Sequence, residues 1–158
     1  MLNDFGCKIQ ATILMMLIAM TVHAQCITNK GDDLSVIVWT YEAMYVTYNI
    51  NFTTTKVDYV KQALPYYSPD AWSKQYRQLE QQNIFATIQE KKGILLMGLP
   101  VQPVITDKVT GQWKILVKFD LKILSSSATE TIQPVKSIML TVKKDAQGCF
   151  SIDDLVDA

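Results

Sequence analysis

At Gly93 the spacing of apolar side chains changes period, and that change constrains the fold more than any other feature of the chain. Before it, apolar residues recur every three or four positions, the spacing of a helix face. After it they alternate, the spacing of a strand with one side in a core. Asp32 or Asp33 is placed to cap a first helix, in which Leu34, Ile37, Val38, Tyr41, Tyr45 and Tyr48 form one broad apolar stripe. Its β-branched residues lower the intrinsic propensity, so packing must hold it. Thr55 and Asp58 make a capping box for a second helix over Lys56–Leu64, which Pro65 ends. Ser68-Pro69-Asp70 is the cleanest helix start: a capping hydroxyl, a proline at the first helical position, and an acid at the positive end. Trp72, Tyr76 and Leu79 then fall on its buried face, with Lys74, Gln75, Arg77, Gln78, Gln81 and Gln82 opposite. A short fourth helix around Ile84–Lys91 ends at Gly93, which suits a left-handed C-terminal cap.

In the second half, Trp113, Ile115, Val117, Phe119, Leu121 and Ile123 alternate with mostly polar neighbours, the pattern of a half-buried antiparallel strand. Ile138, Leu140 and Val142 repeat it, and Phe150 and Ile152 mark a last short strand. Turns fall at 107–111, 125–129 and 145–148. The apolar segment Ile94–Ile105 carries Pro100 and Pro103, which confines it to an edge or bulged strand. Helices followed by a meander of about four strands predict an α+β domain, with three to four helices on one face of an antiparallel sheet.

The N-terminus reads as an export signal. Lys8 precedes an apolar run from Ile9 to Met20, shorter than the roughly 20 residues a membrane-spanning helix needs. Val22 and Ala24 supply the small residues of a cleavage site, giving a signal peptide over 1–24 and a single mature domain over 25–158. An uncleaved signal anchor in the inner membrane is the alternative; His23 and Gln25 do not suit lipoprotein processing at Cys26. Export leaves Cys26 and Cys149 where disulfides persist. A bridge between them would close most of the domain and limit the unfolded chain by roughly 4–5 kcal/mol. The other reading of Cys149 is a small buried side chain in a strand.

Several chemistries lack their residues. The only histidine, His23, lies in the signal segment, so the mature domain has no imidazole for a Ser–His or Cys–His nucleophile or for a metal site. No phosphate-cradling glycine motif is present. Fifteen basic and fifteen acidic residues cancel, which argues against nucleic acid as a partner. Asp32-Asp33 and Asp153-Asp154 read as solvated acids, and Asn51-Phe52-Thr53 matches a glycosylation sequon by a three-residue pattern alone. We therefore expect no catalytic residue, cofactor or metal. A second reading stays open: a cone-shaped α+β fold that binds a small ligand, or acts as a histidine-free isomerase or lyase with a buried acid or tyrosine. The tyrosines, all between Tyr41 and Tyr76 with Asp58 among them, motivate it; Asp120, on the polar side of the best strand, does not.

The segment Tyr66-Tyr67-Ser68-Pro69-Asp70-Ala71-Trp72 resembles the DotI/IcmL family of type IVB (Dot/Icm) secretion components. Periplasmic domains of that family carry an aromatic pair followed by Ser/Thr-Pro-Asp/Glu-x-Trp. Trp39, Ala43, Tyr45 and Tyr48 suit the family's first periplasmic helix. The likeness runs from Val38 to the C-terminus and is strongest over Trp39–Leu79. It implies a nuclear-transport-factor-like fold with a curved sheet. It also implies a role in assembling the secretion channel through contacts with other subunits or by self-association. Core-machine members keep a cytoplasmic tail and a transmembrane anchor. The short, cleavable run here departs from them and fits a free-standing periplasmic relative. The motif residues are accounted for by capping and packing, so none is carried over as a binding site. The expected contact surface is the apolar edge around Leu96 and Val101, because an exposed apolar edge strand invites pairing.

Overall fold

The computed structural model describes residues 32–98 and 101–158, with the backbone alone described at Val101 and Gln102. The signal segment 1–24 and Cys26 lie outside the described residues. In chain order the elements are α1 (Asp33–Tyr48), β1 (Ile50–Asn51), α2 (Lys56–Ala63), a 3₁₀ turn (Leu64–Tyr66), α3 (Pro69–Gln81), α4 (Ile84–Glu90), β2 (Ile94–Met97), β3 (Val101–Val109), β4 (Gln112–Leu124), β5 (Thr129–Lys144) and β6 (Phe150–Asp157). All strand pairs are antiparallel, in the order β1-β2-β4-β5-β6, with β3 also pairing β4. The expected α+β architecture is present, with more strands than the alternation counted. The apolar segment 94–105 contributes to two strands on β4, and Ile50–Asn51 adds a short pair to β2.

β4 organises the molecule because it carries the cleanest alternation. Trp113, Ile115, Val117, Phe119, Leu121 and Ile123 are all buried, and register sets Ile115 opposite Leu140 and Val117 opposite Ile138. Bulges beside Leu121 bend the long β4–β5 ribbon over the helices. The helices lie on the inner side of this curve.

Local signals act as the residue types dictate. Asp32 caps α1, accepting from the Ser35 amide at 2.6 Å. Thr55 caps α2, accepting from the Asp58 amide at 3.1 Å while its hydroxyl donates to the Asp58 carboxylate at 2.7 Å. Ser68 caps α3 and is tied to the sheet, its amide donating to the Ile152 carbonyl at 2.8 Å. The left-handed residue after α4 is Lys92 (φ 45°), one position before the expected Gly93. The Gly93 amide bonds Ile88 O at 2.9 Å and the Lys92 amide bonds Gln89 O at 3.2 Å, a Schellman closure. Gly93 serves a different end: a Cβ there would meet Ile123 Cγ2 at 2.8 Å and the Leu124 carbonyl oxygen at 3.0 Å.

Two sequence expectations are corrected. In α1 the buried face is Val36, Trp39, Thr40, Ala43, Met44, Thr47 and Tyr48. Of the expected stripe, only Tyr48 is buried, while Leu34, Val38, Tyr41 and Tyr45 face water. The helix is apolar on nearly every side, so period alone could not choose a face. In α3, Gln75 is buried with Ala71 and Leu79, whereas Trp72 is half-buried at the edge of the core. Gln75 is tolerated inside because its amide donates to the Tyr48 hydroxyl at 3.1 Å.

Leu95 is fully buried where β2 joins β1 to β4. Leu95→Ala should cost about 2–5 kcal/mol of unfolding free energy, read by urea denaturation. A loss under about 1 kcal/mol would mean this strand is not part of the cooperative core.

Candidate functional site

The inside of the curved sheet is filled by aromatic rings. Trp113 meets Phe150 edge-on at 5.5 Å between centroids, Phe150 meets Trp39 at 5.5 Å, and Trp39 meets Tyr66 at 5.8 Å. Tyr48 lies 5.0 Å from Phe119. A second chain links Tyr67, Trp72, Tyr59 and Phe85 at 5.4–5.8 Å. Such offset and tilted contacts each add about 0.5–1.5 kcal/mol beyond the area they bury.

The buried phenols are satisfied within the fold. Tyr59 donates to the Thr47 carbonyl at 3.1 Å, Tyr66 to Glu42 Oε1 at 2.7 Å, and Tyr67 shares a 2.6 Å bond with the Thr47 hydroxyl. Burial pushes the Tyr48, Tyr59, Tyr66 and Tyr67 phenols above their ordinary value, and at Tyr66 the Glu42 carboxylate adds to the rise. Asp58, among the tyrosines in sequence, lies in the first turn of α2 and accepts from the capping Thr55 hydroxyl at 2.7 Å. Asp120 sits on the outer side of β4, paired with Lys122 at 2.8 Å. Among the described residues, no three His, Cys, Asp or Glu side chains come together as a metal-holding group. No described helix is long and apolar enough to cross a membrane.

At the start of α1, Asp33 Oδ1 accepts from Lys108 Nζ at 2.6 Å and from Trp113 Nε1 at 3.0 Å. The Lys108 bond, then the indole bond, holds the Asp33 carboxyl below the usual range. This joint ties the helix to β3 and β4. Cys149 is half-buried in the turn before β6, its amide donating to Asp145 Oδ1 at 2.8 Å.

The expected contact residues fall on β2 and β3. Leu96, half-buried, stands opposite Lys122, and Val101 is opposite Lys118, so register puts both positions on the outer face. Two other apolar surfaces escaped the sequence reading. Along α1, Leu34, Val38, Tyr41 and Tyr45 remain 72%, 60%, 41% and 47% exposed. Across the outer sheet face, Val104, Leu116, Met139 and Val156 stand in one register row through β3, β4, β5 and β6. The α1 stripe was seen but assigned inward.

No family model matches the sequence, and no curated protein sequence matches it either. Solved structures do. An IcmL-like type IV secretion system protein from Legionella pneumophila subsp. pneumophila str. Philadelphia 1 superposes with a TM-score of 0.70 and 18% identity, over 80% of this chain and 92% of that one. The periplasmic domain of DotI gives 0.68 and 18%, over 83% and 98%. This chain has a DotI/IcmL-like fold. A periplasmic fragment of TraM shares it with a TM-score of 0.61 and 14% identity, over 80% and 97% of the two chains.

The buried tyrosines set an alkaline limit on the fold. Their folded values exceed the ordinary 10.0. Their contribution is therefore complete below pH 10 and is lost above it, as the unfolded chain releases protons that the native one retains. Unfolding by circular dichroism should coincide with the phenolate absorbance of the buried tyrosines near 295 nm. Ionisation of all seven tyrosines with native dichroism intact would contradict this placement.

Proposed function

We propose that this chain is an exported, non-enzymatic accessory component of a type IVB secretion system, acting by contact with other subunits in the periplasm. The observation that carries the reading is the aromatic-filled concavity, with tyrosine hydroxyls committed to internal partners, alongside apolar surface left on the outside. A domain arranged in this way has its reactive groups occupied by packing and its free apolar area available for docking. The likeness to the IcmL-like protein, the DotI periplasmic domain and the TraM fragment supports the same assignment. Export follows from the 1–24 signal peptide read in the sequence, and the edge at Leu96 and Val101 is the proposed contact with neighbouring subunits.

Cys149 is proposed to pair with Cys26. The indole of Trp113 reaches both Asp33, at the start of α1, and Phe150, next to Cys149. From Cys26 to Asp32 an extended chain reaches on the order of 20 Å, enough to bring the two sulfurs together at that end of the domain.

Fractionation of cells expressing a C-terminally tagged copy tests compartment and role together. A soluble periplasmic product beginning at Gln25 is expected, and photo-crosslinkers at positions 96 and 101 should capture secretion subunits. Retention of Met1 in membranes would replace the exported form with an anchored one. Capture of neither a subunit nor a second copy would remove the Leu96–Val101 surface. In the same extract, mass spectrometry should find Cys26 and Cys149 protected from alkylation until reduction; two alkylated thiols would eliminate the bridge.

A further inference from the structure

We infer that the rim of the concave face, where β5, β6 and α3 meet, binds the carboxylate end of a peptide chain. Lys136 is the cation that receives the carboxylate, and Gln78 accepts from the last amide. Register sets Lys136 directly opposite Phe119, so both side chains enter the concave face. The lysine side chain is only 4% exposed, yet its one side-chain partner among the described residues is Asp157, at 3.3 Å. The Asp157 side chain is itself 67% exposed. An ammonium carries three donors, and one held away from water needs them filled by short, charge-assisted bonds. A single long contact to a solvated acid leaves most of that demand unmet.

The groups around Lys136 complete the site. Asp157 pairs with Ile138 in register, just beyond the buried Leu155, which places it at the rim of the same face. The Tyr48 ring lies 5.0 Å from Phe119, and its hydroxyl is bonded by the Gln75 amide at 3.1 Å. Burial chiefly raises the Tyr48 phenol and the Asp157 charge adds to the rise, so acid and phenol share one neighbourhood. α3 runs in the same sense as β6, since the Ser68 amide bonds the Ile152 carbonyl and Lys74 reaches Asp154 at 3.1 Å. From Ser68, about 15 Å of helix brings Gln78 level with Asp157, which is about 17 Å along the strand from Ile152. Gln78 Oε1 is buried and has no hydrogen-bond partner among the described residues. A buried cation and a buried, unfilled acceptor at one rim call for negative charge and an N–H donor close together. The end of a peptide has both, in its terminal carboxylate and the amide of the same residue. That carboxylate takes the place of Asp157, which turns into water at little cost because it is already mostly solvated.

This inference goes beyond the docking role and stands without it, because it is read on the purified protein alone. The probes are N-acetyl-glycyl-alanine with a free carboxylate, the same dipeptide as its C-terminal amide, and acetate, each titrated against the protein's amide NMR signals. The free acid should bind on the order of 1 mM, and the amide form and acetate each about tenfold more weakly or worse. Lys136→Met should lower the free acid's affinity about tenfold or more. That variant should keep its dichroism, because an apolar side chain of similar volume replaces a buried ion pair without loss. Gln78→Leu should weaken the dipeptide and leave acetate unchanged. Asp157→Asn removes the internal competitor and should tighten the free acid about two- to fivefold, the worth of a half-exposed ion pair. No shift at about 20 mM of the free acid, equal binding of acid and amide, or acetate binding as tightly as the dipeptide would each overturn the proposal. So would undiminished binding in Lys136→Met, or an Asp157→Asn protein that loses stability and gains no affinity.

Discussion

The contact between Trp113 and Phe150 fixes the relation of the helical layer to the sheet. Trp113 opens β4 and Phe150 opens β6, so their edge-to-face contact spans β5 between them. Trp39 of α1 packs on the same phenyl ring, and Asp33 binds the indole nitrogen. One aromatic cluster thus sets the position of a helix, the end of the central strand and the start of the last one. Burying rings of this size contributes about 1.5–3 kcal/mol each, and the indole N–H needs its carboxylate partner to be buried at low cost. The rest of the inner face follows, because α1 in this place puts Tyr48 over Phe119 and leads the chain into β1.

That arrangement also decides what the interior has to offer chemically. A concave sheet covered by helices is a shape that holds ligands when its lining is small. Here the lining is tryptophan, tyrosine and phenylalanine, and the tyrosine hydroxyls are held by Thr47, Glu42 and Gln75. The buried phenols are engaged within the fold and held above their ordinary value by burial. Lys136, the one buried lysine among the described residues, is likewise bound, at 3.3 Å from the Asp157 carboxylate.

How far the fold could be read from sequence depended on whether each element has one apolar side or two. β4 has one, so its alternation named its buried residues without error, from Trp113 to Ile123. The capped starts of α2 and α3 were legible for the same reason, since Thr55 and Ser68 act locally. α1 has two, and its sequence contains no polar side with which to orient it. Trp39 took the inner position by packing on Phe150 and Tyr66, with Ala43 and Met44 buried on the same face, contacts visible only in three dimensions. Gln75 was misread because the partner that makes its burial possible, Tyr48, lies 27 residues away. The outer row from Val104 to Val156 needed strand register across four strands, which alternation within one strand does not supply.

The failure at α1 carries its own meaning. Where a helix faces water, lysine, glutamate or glutamine at the same positions would serve its stability as well or better, since they are stronger helix formers than valine or tyrosine. Nothing in the packing of the described residues requires Leu34, Val38, Tyr41 or Tyr45 to be apolar. Neighbouring α3 shows the contrast, with Lys74, Arg77 and Gln81 turned outward. A sequence that departs from ordinary surface chemistry along one helix, while observing it on the next, is satisfying a constraint the isolated domain does not contain. Contact with another surface is the simplest constraint of that form.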